Sequence, residues 1–156
     1  MNNADNAIWI MLRGLAREHR HWEGFPTYFR EHMNDPTVVL PDLPGCGIHY
    51  WVNSPRRIKD MVEFIRADIA VHLFDRPVYI LGLSLGAMVA LEWAWLYPRE
   101  CAGAVLMNTS VGGLSPFYQR LRPGSYRQLL RALRLGRGAE KERIIFQLTS
   151  NLNRDE

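Results

Sequence analysis

The stretch Gly82-Leu83-Ser84-Leu85-Gly86 joins a nucleophilic side chain to the backbone freedom that nucleophilic catalysis requires. A serine on a sharp strand-to-helix turn is held in a strained conformation with its hydroxyl exposed. Glycines on either side let that turn pass close to neighbouring backbone without a Cβ collision. The flanks are of the required kind: the apolar run Val78-Tyr79-Ile80-Leu81 reads as a strand, and Ala87-Met88-Val89-Ala90-Leu91 opens a helix. The chemistry expected of such a serine is attack on an ester-like carbonyl. The alternative is a plain glycine-flanked turn in which Ser84 merely begins the helix.

Two further residues invite a chemical reading. Cys46 lies in the turn Pro44-Gly45-Cys46-Gly47, and no histidine is placed to activate it, so it is expected to be a small turn residue. Gly14 follows the first apolar run, where an ordinary turn glycine is also common.

On the Gly-x-Ser-x-Gly pattern and its flanks, the chain resembles the α/β-hydrolase superfamily from about Ile8 to about Ser110. The resemblance implies that Ser84 is the nucleophile and that the backbone N–H of Leu85 donates to the oxyanion. The loop Arg13-Gly14-Leu15-Ala16-Arg17-Glu18 stands where that family carries His-Gly-x, which makes the Leu15 N–H the second donor. Arg13 departs from the family's histidine. Pro41-Asp42-Leu43-Pro44-Gly45-Cys46-Gly47 is similar to the family's Asp-x-Pro-Gly-x-Gly stretch, which rims the site without catalytic duty; Asp42 is expected to pair with Arg13. Gly82, Gly86 and Gly14 are then structural at the site.

The family's order is nucleophile, then Asp or Glu, then His. Here all the histidines (His19, His21, His32, His49, His72) precede Ser84, and the later acids Glu92, Glu100, Glu140, Glu142, Asp155 and Glu156 match none of the family's positions. A serine hydroxyl is a weak nucleophile without a base. The chain is therefore expected to be the amino-terminal portion of a serine hydrolase acting on acyl substrates. A non-catalytic binding module on the same scaffold is the alternative. Nothing in the resemblance calls for a cofactor or metal.

The elements that must position these residues are legible in order. Ala7-Ile8-Trp9-Ile10-Met11-Leu12 is continuously apolar, as suits a parallel strand covered on both faces. Trp22, Phe25, Phe29 and Met33 form a helical stripe with Pro26 in its first turn, and Thr37-Val38-Val39-Leu40 is the second strand. Ser54-Pro55 is read as an N-cap and first-turn proline, opening a helix whose stripe is Ile58, Met61, Val62, Ile65 and Ile69. After the strand and helix around Ser84, in which Trp93 and Trp95 are expected to pack, Ala102-Gly103-Ala104-Val105-Leu106-Met107 is the fourth strand. Strands alternating with helices predict an α/β fold with a doubly wound parallel sheet. The resemblance adds a spatial order of second, first, third, fourth. Residues 1–115 are read as the partial core and 116–156 as a helical lid.

Composition excludes several classes. With 47% hydrophobic residues, 156 residues suffice for one core. The polar start Met1-Asn2-Asn3-Ala4-Asp5-Asn6 resembles no secretion signal, and Pro77 to Leu91 is too short and too broken by glycine for a membrane span. Two cysteines, Cys46 and Cys101, in no redox or metal spacing fit a reducing cytoplasm. Between residues 120 and 143, eight Arg or Lys face two Glu, an excess larger than the whole-chain net charge of +3. No aromatic interleaving or nucleic-acid motif accompanies it, so a solvated lid exterior is expected and no nucleic-acid partner. No Gly-x-Gly-x-x-Gly or Walker pattern follows a strand, which argues against a nucleotide. The expected partner is a small acyl substrate, with self-association through an unpaired sheet edge as a further expectation.

Overall fold

The structure is a computed structural model and describes residues 7–70 and 77–111, together with Arg127, Leu130 and Arg131. Among them are four strands, β1 (Ile8–Leu12), β2 (Thr37–Val39), β3 (Val78–Leu83) and β4 (Cys101–Met107), and three α-helices, α1 (Phe25–His32), α2 (Ile58–Asp68) and α3 (Leu85–Leu96). All strand pairs are parallel, and the order across the sheet is β2-β1-β3-β4. This is the α/β class read from the sequence and the strand order that the resemblance implied.

Burial follows the composition of each strand. Every residue of β1 is buried, as its unbroken apolar run requires. One face of the sheet, with Ile8, Ile10, Leu12, Val78 and Ile80, packs against Met61, Val62 and Ile65 of α2 and Val89, Ala90 and Trp93 of α3. The other face, with Trp9, Met11 and Leu81, packs against Trp22 and Phe29. Helices therefore cover both faces, as in a doubly wound sheet. At about 25 cal/mol per Å² of apolar surface, burial of this kind is the main force holding the sheet and helices together.

Two local elements differ from the sequence pattern. The stripe from Trp22 to Met33 is divided: Trp22 ends a separate 3-10 turn, His19–Trp22, and α1 begins at Phe25 with Pro26 at its start. Phe29 meets Trp9 edge-on, whereas Met33, at the C-cap, is exposed. α2 begins at Ile58, with Arg57 as its N-cap in extended conformation, and not at Ser54-Pro55. Ser54, Arg56 and Arg57 are exposed, so extending the helix over them would order backbone while burying little surface.

A clamp joins the far ends of α2 and α3. Arg66 donates from Nε and Nη2 to Glu100 at 2.9 and 2.5 Å, Trp93 Nε1 donates to the same carboxylate at 2.9 Å, and Tyr97 donates its hydroxyl to Glu63. The Arg66 guanidinium lies over the Tyr97 ring, 3.5 Å from its centroid.

By contact density the chain divides into compact units at 1–110 and 111–156. The expected lid, 116–156, lies outside the described residues apart from Arg127, Leu130 and Arg131, which are helical.

Candidate functional site

Parallel strands bring the loops that follow them to one end of the sheet. The crevice in such a sheet lies where the strand order reverses, here between β1 and β3. The loops that meet there are the one after β1, which holds Gly14 and Leu15, and the turn at Ser84.

Ser84 has φ 56° and ψ −113°, a conformation that an L-residue rarely adopts. Non-local contacts hold it there. Its N–H donates to the Met107 carbonyl at the end of β4 (2.9 Å), while its own carbonyl accepts from the N–H groups of Ala87 and Met88 and so starts α3. The side chain makes no capping hydrogen bond, which leaves Oγ without a hydrogen bond among the described residues at the N-terminus of a 12-residue helix. Partial positive charge at that terminus favours an oxygen developing negative charge. Leu85 is the first residue of α3, where an N–H has no intrahelical acceptor.

The glycines explain how closely these parts approach. A Cβ at Gly86 would overlap the Leu12 carbonyl oxygen and lie 2.6 Å from that of Arg13; one at Gly82 would lie 2.5 Å from Ala87 Cα. The end of β1 thus runs directly against the first turn of α3. At Gly14 a Cβ would sit 3.2 Å from Ser84 Cβ and 3.8 Å from Ser84 Oγ, so the loop carrying Leu15 begins against the serine itself. Leu15 is exposed, and Ala16 beside it has φ 56°.

Asp42 is not paired with Arg13. Its buried carboxylate accepts from the His19 backbone N–H (2.6 Å), the Ile48 backbone N–H (3.0 Å) and His19 Nδ1 (2.8 Å). Burial pushes this carboxyl upward, but the hydrogen bonds from Ile48 and His19 outweigh it and hold the group below its usual range. Arg13 instead lays its guanidinium over the Trp22 ring, 4.8 Å from the centroid, with its Nε buried and unbonded among the described residues. Desolvation, reinforced by the charge of Arg17, lowers its pKa. An acid after β2 and a histidine after β1 was the available signal for the Asp42–His19 pair, since both loops leave the same end of the sheet.

Among the described residues no hydrogen bond joins a histidine to Ser84. His19 is bonded to Asp42, His21 Nδ1 accepts from the Glu18 N–H, His32 bonds to the Tyr28 carbonyl, and His49 meets the Phe64 and Trp51 rings edge-on, its buried Nε2 3.2 Å from Asp68 but without a hydrogen bond among the described residues. His72 lies outside the described residues. Burial raises the Cys46 thiol pKa, against a nucleophilic role. Trp93 is wholly buried, and Trp95 is 81% exposed, so only the first packs as expected. No group of three or more His, Cys, Asp or Glu among the described residues is arranged to hold a metal, and no described helix is long and apolar enough to cross a membrane.

Comparison with known proteins gives a match to the model of the alpha/beta hydrolase family over residues 9–152. A homoserine O-acetyltransferase from Chlorobaculum tepidum is 45% identical over 71 residues, 45% of this chain and 19% of that protein. A pimeloyl-[acyl-carrier protein] methyl ester esterase from Methylococcus capsulatus is 31% identical over 98 residues, 63% of this chain and 35% of the esterase. Among solved structures, a thermophilic esterase from Thermogutta terrifontis superposes with a TM-score of 0.63 at 22% identity, covering 89% of this chain and 49% of that one. The chain thus spans 19% and 35% of those two relatives and 49% of the solved esterase.

Proposed function

Because the chain belongs to the alpha/beta hydrolase family, we propose that Ser84 is the nucleophile of an acyl-transfer site for ester-like substrates, with the backbone N–H groups of Leu85 and Leu15 receiving the oxyanion. The observation that carries this reading is the left-handed φ of Ser84 at the N-terminus of α3, with the Gly14 loop packed directly against it. Strain at a non-glycine residue persists where the surrounding contacts over-determine it, and such residues cluster at active sites. Attack by Oγ on the carbonyl carbon would form a tetrahedral adduct. Two N–H groups fixed in advance stabilise its oxygen, each worth about 3 to 4 kcal/mol of barrier.

The described residues supply this nucleophile and these donors, and the base and acid are left to residues beyond them. The separate engagements of His19, His21, His32 and His49 favour a second reading, a binding module on the hydrolase scaffold. Free Cys46 and Cys101 are in keeping with a reducing, cytoplasmic setting. Among the described residues β4 is an edge strand with no partner on its outer side, which supports self-association as a further property of the sheet.

Exposure of the purified chain to a fluorophosphonate probe, followed by peptide mass mapping, tests the assignment. Slow labelling confined to Ser84 and abolished in Ser84→Ala is the expected result, with no multiple turnover of a p-nitrophenyl ester above the Ser84→Ala control. Labelling that persists in Ser84→Ala refutes the assignment. Robust turnover that depends on Ser84 would refute the reading that none of His19, His21, His32 and His49 serves Ser84 as base, or place that role on His72.

A further inference from the structure

The oxyanion loop is fixed at its beginning, and at its middle the backbone N–H groups of Ala16 and Arg17 reach the Cys46 sulfur. At its start, β1 fixes Leu12 and the close approach to Gly86 fixes Arg13. Leu15 is exposed, and the backbone hydrogen bond within the segment, Arg17 N–H to the Gly14 carbonyl, is 3.2 Å long. Holding such a segment in one conformation costs about 1 to 2 kcal/mol of backbone entropy per residue, so something must pin its far end.

We infer that Asp42 and His19 form the clasp that pins it, making both positioning residues for the Leu15 N–H. This inference rests on the reading of Leu15 as an oxyanion donor. The Asp42 carboxylate is 1% exposed and grips His19 twice, through the backbone N–H at 2.6 Å and through Nδ1 at 2.8 Å. It is itself fixed by the Ile48 N–H at 3.0 Å, and it packs against Gly47, where a Cβ would overlap it. Residues 13–18 therefore run from β1 to Asp42, meeting Cys46 at Ala16 and Arg17 on the way. Asp42 belongs to the loop after β2, a strand that touches neither Ser84 nor β3 in the sheet. Because Nδ1 faces the carboxylate, His19 serves through that ring nitrogen as a hydrogen-bond donor. A donor role is open to an asparagine, whose Nδ2 stands where Nδ1 stands, whereas a proton-accepting role is not.

That difference supplies the test. In the ¹⁵N-labelled full chain without substrate, the backbone order parameter of the Leu15 N–H is measured in the parent, His19→Asn and His19→Ala, with the β1 amides as the check that the fold is intact. The expected values are about 0.85 for the parent and His19→Asn and below about 0.6 for His19→Ala. His19 is partly exposed, so these variants keep the question answerable even if Asp42→Asn does not fold. A purely global stabilising role would lower the melting temperature of His19→Ala and leave Leu15 rigid in the folded protein. That outcome overturns the clasp, as does a His19→Asn variant as loose as His19→Ala. Since no reaction at Ser84 is read, an unreactive serine leaves the clasp standing, and a rigid Leu15 in His19→Ala ends it whatever Ser84 does.

Discussion

Gly86→Ala puts the geometry of the site under direct strain. The added Cβ overlaps the Leu12 carbonyl oxygen and must open its distance to the Arg13 oxygen from 2.6 Å to at least 3.4 Å, where ordinary contact begins. Both neighbours are backbone, in and just beyond a strand buried on both sides, so no side chain can rotate away. Forced repacking of this kind costs about 1 to 3 kcal/mol, and the upper end applies where backbone must move. Against it stands the better helix propensity of alanine, about 1 kcal/mol in favour of the variant. The net expectation is a loss of about 2 kcal/mol, equivalent to a fall of about 4 to 8 °C in melting temperature for a chain of this size. Urea denaturation of the parent, Gly86→Ala and the control Gly24→Ala measures it. A Cβ at exposed Gly24 meets nothing within 4 Å, so the control should stay within about 0.5 kcal/mol. Because the displaced carbonyls lead into Gly14, the Leu15 and Leu85 amide resonances should shift as well. A Gly86→Ala protein as stable as the parent, or more so, would mean that α3 and β1 are not held this closely and would remove the support beneath the loop that carries Leu15.

The two tryptophans of α3 should separate cleanly. Trp93→Ala empties a wholly buried position and removes one of the hydrogen bonds to Glu100, for a loss of about 3 to 5 kcal/mol, whereas Trp95→Ala at an 81% exposed position should stay within about 0.5 kcal/mol, both by denaturant titration. Hydrogen bonding from Arg66 holds the Glu100 carboxyl below its usual range despite burial, so its contribution is present above the unfolded carboxylate pKa and is lost as pH falls through the lowered folded value. The parent should therefore lose more stability than Glu100→Gln between neutral and acidic pH, by about 1 kcal/mol for this half-exposed pair; parallel curves would refute the coupling. Burial pushes the Cys101 thiol up to about 11, so iodoacetamide at pH 8 should modify it at least tenfold more slowly than a free thiol of ordinary pKa; equal rates would refute the burial.

Local chemistry determined much of this protein. The continuous apolar runs of β1 and β3 and the stripe from Met61 to Ile69 are periodic signals carried within one segment, and each formed its expected element. The glycines around Ser84 likewise foretold a strand-to-helix turn, because the turn's demands fall on its own residues. Tertiary structure decided what depends on distant neighbours. Ser54-Pro55 carries a good helix-start signal, yet α2 starts at Ile58, the first of its residues to pack against the core. In α3, apolar around most of its surface, sequence could not say which tryptophan would meet the sheet; a spacing of two residues turns Trp93 inward and Trp95 to solvent. Asp42 had a charged candidate in Arg13, but the fold gave it His19 and set Arg13 on Trp22. A carboxylate's choice of partner is made by the loops that converge on it, and those loops meet only after β1 and β2 have paired in register.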